Sequence, residues 1–223
     1  MAKSRDTFLT GGIAGRVGNV LFVQGPSGTY LRSMPARRVG AVSETEREGQ
    51  EATALVSVYW SGLSPEAMGR WRAYAGERTA ARPHERQTVT SGWNEFFTLG
   101  KKLLQIDASR PLPTEPPTGR FPGDLVQFEA QAYAAEGEAG VLFVANRPND
   151  EGVLTEFLLQ RLANGGRLPT ARGYRSQGFV HFEGADEAEI PATPGWYACA
   201  TRFVEAATGR ATALVPCGVV FVG

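Results

Sequence analysis

Apolar residues return every three or four positions between residues 43 and 106, whereas from residue 123 onward they alternate or run in short blocks broken by turn residues. That change of period predicts helices followed by strands. Ser43 with Glu46 three residues later has the form of a capping box, and Leu55, Val56, Tyr59 and Trp60 share one helical face, so a first helix is expected to about Trp60. Gly62 ends it. Ser64-Pro65-Glu66 starts a second helix, with a hydroxyl at the N-cap, proline at the first helical position and an acid in the first turn, and Met68, Trp71 and Tyr74 form its apolar stripe. After an arginine-rich loop with Pro83 and His84, Ser91 caps a third helix carrying Trp93, Phe96, Phe97, Leu103 and Leu104. These helices are expected to share one aromatic core.

The flanks differ in character. Residues 11 to 40 are glycine-rich, and the β-prone runs Val17 to Gln24 and Thr29 to Met34 flank Gly25-Pro26-Ser27-Gly28, which predicts a hairpin with a four-residue turn. So few large apolar side chains cannot enclose a core, and an isolated two-stranded hairpin is marginal in water, so this arm must lie on something else. Residues 107 to 122 hold five prolines and no periodicity, the composition of an extended spacer. Beyond it, Leu125 to Tyr133, Val141 to Ala145, Leu154 to Leu162, Gly178 to Phe182, Trp196 to Val204 and Ala211 to Val222 read as strands, Leu154 to Leu162 also allowing a short helix. Six or seven short strands in about a hundred residues fit a two-sheet sandwich of immunoglobulin or fibronectin type. The expected fold is therefore α+β and multidomain: a basic hairpin arm at 1–42, a three-helix unit at 43–106, a linker at 107–122 and a β-sandwich at 123–223.

Charge adds an asymmetry to this plan. The 223 residues carry 23 Lys or Arg and 23 Asp or Glu, yet residues 1–120 hold 16 against 11 and residues 121–223 hold 7 against 12. A basic half and an acidic half suit head-to-tail contacts between copies or an acidic partner. Arg16, Arg32, Arg37 and Arg38 make the arm the candidate contact surface. No run reaches the roughly 18 apolar residues of a membrane span, and Met1 to Thr10 has no apolar core of a signal peptide, so a cytosolic location and no membrane partner are expected.

Candidate chemistry is sparse. His84 lies in a polar loop and His181 in a strand between Val180 and Phe182, neither beside a nucleophile in sequence, and both are read as surface residues. Cys199 and Cys217 sit in apolar strand-like sequence and are expected as buried thiols without metal-ligand spacing. Asp150-Glu151 reads as a turn, and Asp186, Glu187 and Glu189 as an acidic loop whose alternative role is a loose cation site. The glycines at 11, 12, 15 and 18 match no phosphate-binding pattern. No catalytic residue, cofactor or metal is assigned.

Gly15-Arg16-Val17-Gly18-Asn19, Arg32-Ser33 with Pro35, Trp60-Ser61-Gly62-Leu63-Ser64, Trp71-Arg72-Ala73-Tyr74-Ala75 and Ser91-Gly92-Trp93-Asn94-Glu95-Phe96 together resemble a pattern in uncharacterised structural proteins of tailed phages and prophages, over about residues 11 to 106. Where that pattern usually leads into the first helix through Asn-Pro-x-Thr, this chain has Gly40-Ala41-Val42-Ser43. The resemblance implies a virion structural role and no catalytic residues; taken with the basic arm and the acidic sandwich it leads to the expectation of a non-enzymatic auxiliary capsid or head-decoration protein, assembled in the bacterial host cytoplasm, whose partners are the major capsid or other virion proteins and copies of itself. The alternatives are a DNA-associated protein using the basic arm, favoured by Arg70, Arg72, Arg78, Arg82 and Arg86 around the second helix, and a tail or carbohydrate-binding component using Trp196 or Tyr174.

Overall fold

A computed structural model describes residues 3–4, 13–25, 28–34, 40–41, 43–80, 91–135, 138–184 and 186–223. The chain is α+β, with three helices and three antiparallel sheets among the described residues, and divides into two compact units, 1–44 and 45–223.

The first unit is a meander of four strands, β1 (Lys3–Ser4), β2 (Ile13–Val17), β3 (Val20–Gly25) and β4 (Gly28–Ser33), in spatial order β1-β2-β3-β4. The expected single strand from Val17 to Gln24 is broken. Val17 pairs with Val20 across the two residues Gly18 and Asn19, and Gly18 has φ +58°, the left-handed value that a tight hairpin turn requires. The Gly25 to Gly28 turn joins β3 to β4 as the sequence suggests. No residue of this sheet whose exposure is described is buried.

The second unit opens, from Thr45 onward, with α1 (Glu44–Ser61), α2 (Pro65–Ala80) and α3 (Gly92–Ile106). Their starts follow the capping residues: Ser64 Oγ accepts from the Ala67 amide at 3.3 Å and Ser91 Oγ from the Asn94 amide at 3.2 Å. Val56, Trp71, Phe96, Leu99 and Leu103 form the helical core, with Trp71 and Phe96 edge-to-face at 5.1 Å. Gly92 is required here, because a Cβ on it would stand 2.8 Å from the Arg72 backbone nitrogen, so α3 crosses α2 at backbone contact.

Seven strands follow: β5 (Phe128–Ala135), β6 (Glu138–Ala145), β7 (Val153–Leu162), β8 (Arg175–Val180), β9 (Glu187–Pro191), β10 (Gly195–Glu205) and β11 (Val215–Val222). They form one sheet ordered β5-β6-β9 and another ordered β11-β10-β7-β8, which enclose a common core. Val141 and Phe143 of β6 meet Phe157 of β7 and Tyr197, Cys199 and Phe203 of β10, and the Phe143 and Phe157 rings lie 4.6 Å apart between the sheets. The ambiguous segment Leu154 to Leu162 is strand β7, paired with β10 along its whole length. The expected acidic loop is also a strand: in β9 the buried Ala188 and Ile190 alternate with the exposed Glu187 and Glu189.

The proline-rich segment is not a free spacer. Leu112 is buried in the helical core, the Trp71 indole nitrogen donates to the Thr114 carbonyl at 3.0 Å, and Arg70 forms an ion pair with Glu115. On the other side Arg110 donates to the Ala206 carbonyl at 2.6 Å, and Arg210 donates to the Thr118 and Gly119 carbonyls at 3.2 and 2.7 Å. The Thr114 carbonyl is thus taken by Trp71 of α2 and the Thr118 and Gly119 carbonyls by Arg210, which ties the segment into the compact unit that holds both helices and sheets.

A pair of glycine substitutions tests this packing. A Cβ at Gly140 would stand 2.2 Å from the Ile190 carbonyl oxygen, whereas one at Gly69, inside α2, meets nothing within 4 Å. Urea denaturation of Gly140→Ala is expected to show a loss of about 1–3 kcal/mol, and that of Gly69→Ala a gain of about 0.5–1 kcal/mol.

Candidate interaction surfaces

Both described arginines of the arm are exposed. Arg16 donates from Nε to the Gly18 carbonyl at 2.9 Å, within its own hairpin turn, and Arg32 lies on the edge strand β4. Pairing places both arginines opposite Leu21, so they share one face of the sheet. Val20, Phe22 and Leu31 occupy the other face, with Val20 and Leu31 exposed at 39% and 62%. Arg37 and Arg38 lie outside the described residues, as do His84, Arg82 and Arg86.

The helical aromatics are core rather than platform. Trp71 is 1% exposed, and Trp60 packs edge-on against Trp93 at 5.6 Å, leaving no stacked row of rings for bases. Arg78 is turned inward, bonded to Glu95 at 2.8 Å, and Arg70 is held by Glu115.

A cleft of about 710 Å³ opens beside Tyr74, Arg78, Arg120, Phe121 and Arg210. Its arginines mostly serve the fold. Arg210 spends its guanidinium on Glu205 at 2.8 and 3.0 Å and on two backbone carbonyls, and Arg78 on Glu95. Among the described residues that line it, no nucleophile and base face each other.

The remaining candidates are equally specific in what they do. His181 falls just past the end of β8 rather than within a strand; it is exposed, and its Nδ1 lies 2.8 Å from the Val153 carbonyl. Cys199 is buried and its thiol is pushed up to about 12, chiefly by burial; the half-buried Cys217 is also raised by burial, so neither is a ready nucleophile. Among the described residues no group of three or more His, Cys, Asp or Glu is placed to hold a metal ion, and no helix is long and apolar enough to cross a membrane. Trp196 is 37% exposed, tilted on Phe221 at 5.0 Å, with Gly165 pressed against its six-membered ring.

The strongest electrostatic feature was not foreseen. Glu156 lies in the middle of β7 with 0% exposure, held by Lys102 of α3 at 2.9 and 3.0 Å and by Arg202 of β10 at 2.6 and 3.0 Å. Burial opposes its ionisation, but hydrogen bonds from Arg202 and the Lys102 charge outweigh it and hold the carboxyl below the usual glutamate range. Burial, reinforced by the Arg202 charge, holds the Lys102 ammonium below the usual lysine range. The signal in the sequence is a lone charge inside Val153-Leu-Thr-Glu-Phe-Leu-Leu, a stretch in which Thr155 is the one other polar residue. This cluster joins α3 to the sheet and offers no open position to a substrate.

Comparison with known protein families and with curated protein sequences finds no match to this chain.

Glu156 sets an acid limit on stability. Its folded pKa is depressed, so its contribution is complete above the unfolded value of about 4.3 and is lost as pH falls through the folded value. Acid titration of the far-UV signal should therefore show a shallower stability loss for Glu156→Gln than for the native chain. Glu156→Ala, which leaves Lys102 and Arg202 without their carboxylate, is expected to cost about 3–5 kcal/mol at neutral pH by urea denaturation.

Proposed function

We propose that this chain is a non-enzymatic structural protein of a phage particle, an auxiliary capsid or head-decoration protein that binds the shell through its N-terminal arm and helical unit. The observation that carries the reading is the arm itself. It is a separate four-stranded sheet in which no residue of described exposure is buried, while Val20 and Leu31 present apolar surface beside Phe22. A sheet that cannot bury either face finds its stability in a partner, and a shell offers broad protein surface and strand edges for it. The resemblance of residues 11 to 106 to phage structural proteins supports the same assignment.

The two-sheet part we read as a fibronectin-type sandwich. Strand order β5-β6-β9 against β11-β10-β7-β8 has the Greek-key pattern of that group, and Tyr197, near the start of β10, donates its hydroxyl to the Thr193 carbonyl at 2.8 Å. A tyrosine bonded back to the chain just before this strand, two residues ahead of a cysteine, is a mark of such sandwiches. Here Cys199 is a free thiol and the Phe143–Phe157 pair fills the centre. Such a module serves as an outward-facing spacer on a shell.

Cosedimentation of the purified full chain with shells of its own phage tests the assignment. Binding is expected, reduced about tenfold or more by Val20→Ser with Leu31→Ser, both exposed positions whose change leaves the compact unit intact. A protein that stays monomeric and leaves shells unbound contradicts it.

A further inference from the structure

The face of the arm opposite Val20 and Leu31 carries a charge pattern that recurs elsewhere in the chain with the sign reversed. Arg16, Leu21 and Arg32 form one cross-strand row, with Val23 and Tyr30 as neighbours on the same face. Residues 1–42 hold six Lys or Arg against a single Asp. Neither Arg16 nor Arg32 forms an ion pair among the described residues, and Tyr30 is 51% exposed.

On the outer face of the β5-β6-β9 sheet the register makes the inverse row, Glu129, Val144 and Glu187, followed on that face by Gln131, Leu142 and Glu189. Glu129, Glu187 and Glu189 are exposed, and Val144 and Leu142 are half-buried. Tyr133 closes the end of this face over Gly140, its hydroxyl without a hydrogen-bond partner and its pKa raised by burial and by the charges of Glu189 and Glu138. Neighbouring strands stand about 4.8 Å apart in any sheet, so in both rows the outer charges are about 10 Å apart with an aliphatic side chain midway.

We propose that the Arg16–Leu21–Arg32 row of one copy seats on the Glu129–Val144–Glu187 row of a second copy. Each copy then gives one arm and receives one, a heterologous contact that repeats head to tail. Leu21 against Val144 supplies the dry centre, and the two flanking charge pairs set register and exclude like-charged alignments. Phosphates would also attract the arginines, but a nucleic-acid backbone offers nothing to match Leu21 at the middle of the row. The contact uses the arm face turned away from the one assigned to the shell, so either contact can fail without the other.

Sedimentation velocity of the full chain across a salt series tests the proposal. Self-association is expected at low salt and is expected to fall as salt rises, since the charge pairs lie at an exposed rim. Arg16→Glu with Arg32→Glu, and separately Glu129→Arg with Glu187→Arg, should each weaken association about tenfold or more. Mixing these two variants should restore it between unlike chains. Charge-neutral Gln replacements should weaken it less, and all variants should keep the native far-UV spectrum and leave shell binding unchanged. A monomer at every salt concentration overturns the proposal, as does association indifferent to these changes. It is also overturned if the mixed variants fail to pair while a chain carrying all four reversals behaves as native, or if the arginines prove to govern retention of duplex DNA without self-association.

Discussion

Glu156 is the constraint on which the second unit depends. A carboxylate withdrawn from water inside a sheet is unfavourable by itself and is tolerated only where cations and hydrogen bonds replace the lost hydration. Arg202 supplies one cation from the adjacent strand, at the directly paired position, and Lys102 supplies the other from α3. Because the second partner comes from a helix, the charge is satisfied only when the helical unit is seated on the β7 and β10 face. Apolar packing then follows from that seating: Gly209, with φ +74°, brings the turn after β10 to 2.6 Å, measured from a notional Cβ, of the Leu99 carbonyl, and Leu112 fills the helical core from the connecting segment.

This seating divides labour along the chain. Residues 45–223 bury two apolar cores and spend most of their internal charges on one another, while the meander of residues 1–44 has no buried residue of described exposure. The contacts proposed above draw on the two faces of the arm, each within the first unit, and on the acidic face of the β5-β6-β9 sheet. Alternation alone produces them. In a sheet of period two, a strand such as Glu187-Ala-Glu-Ile sends every glutamate to one side, and pairing aligns them with those of the next strand but one.

The helices and most strands were legible because their cues are local. Ser64-Pro65 and Ser91 start α2 and α3 through bonds made within one turn, and the stripes of Trp71 and Phe96 need only helical spacing. Features that depend on distant residues were not legible in this way. The break at Gly18 hid inside a β-prone run because its neighbours are themselves strand formers. Glu187 and Glu189 looked like a loop because the alternating partners, Ala188 and Ile190, are few and one is small. The prolines of residues 111–122 account for a stretch with neither helix nor strand, but not for its ties to Trp71, Arg70, Arg110 and Arg210, which come from across the fold. Of the four candidate contact arginines, Arg16 and Arg32 lie on one exposed face, and this pairing follows from register rather than from their spacing in sequence.

Amide hydrogen exchange of the full chain, first alone and dilute and then bound to shells, tests the account most directly. Amides of α3, β7 and β10 should exchange in one common, slowest class, since Glu156 binds them into a single opening unit, while amides of β3 and β4 should exchange fast in the free chain and become protected on binding. An α3 that opens independently of β7, or an arm already protected in the isolated monomer, would contradict it.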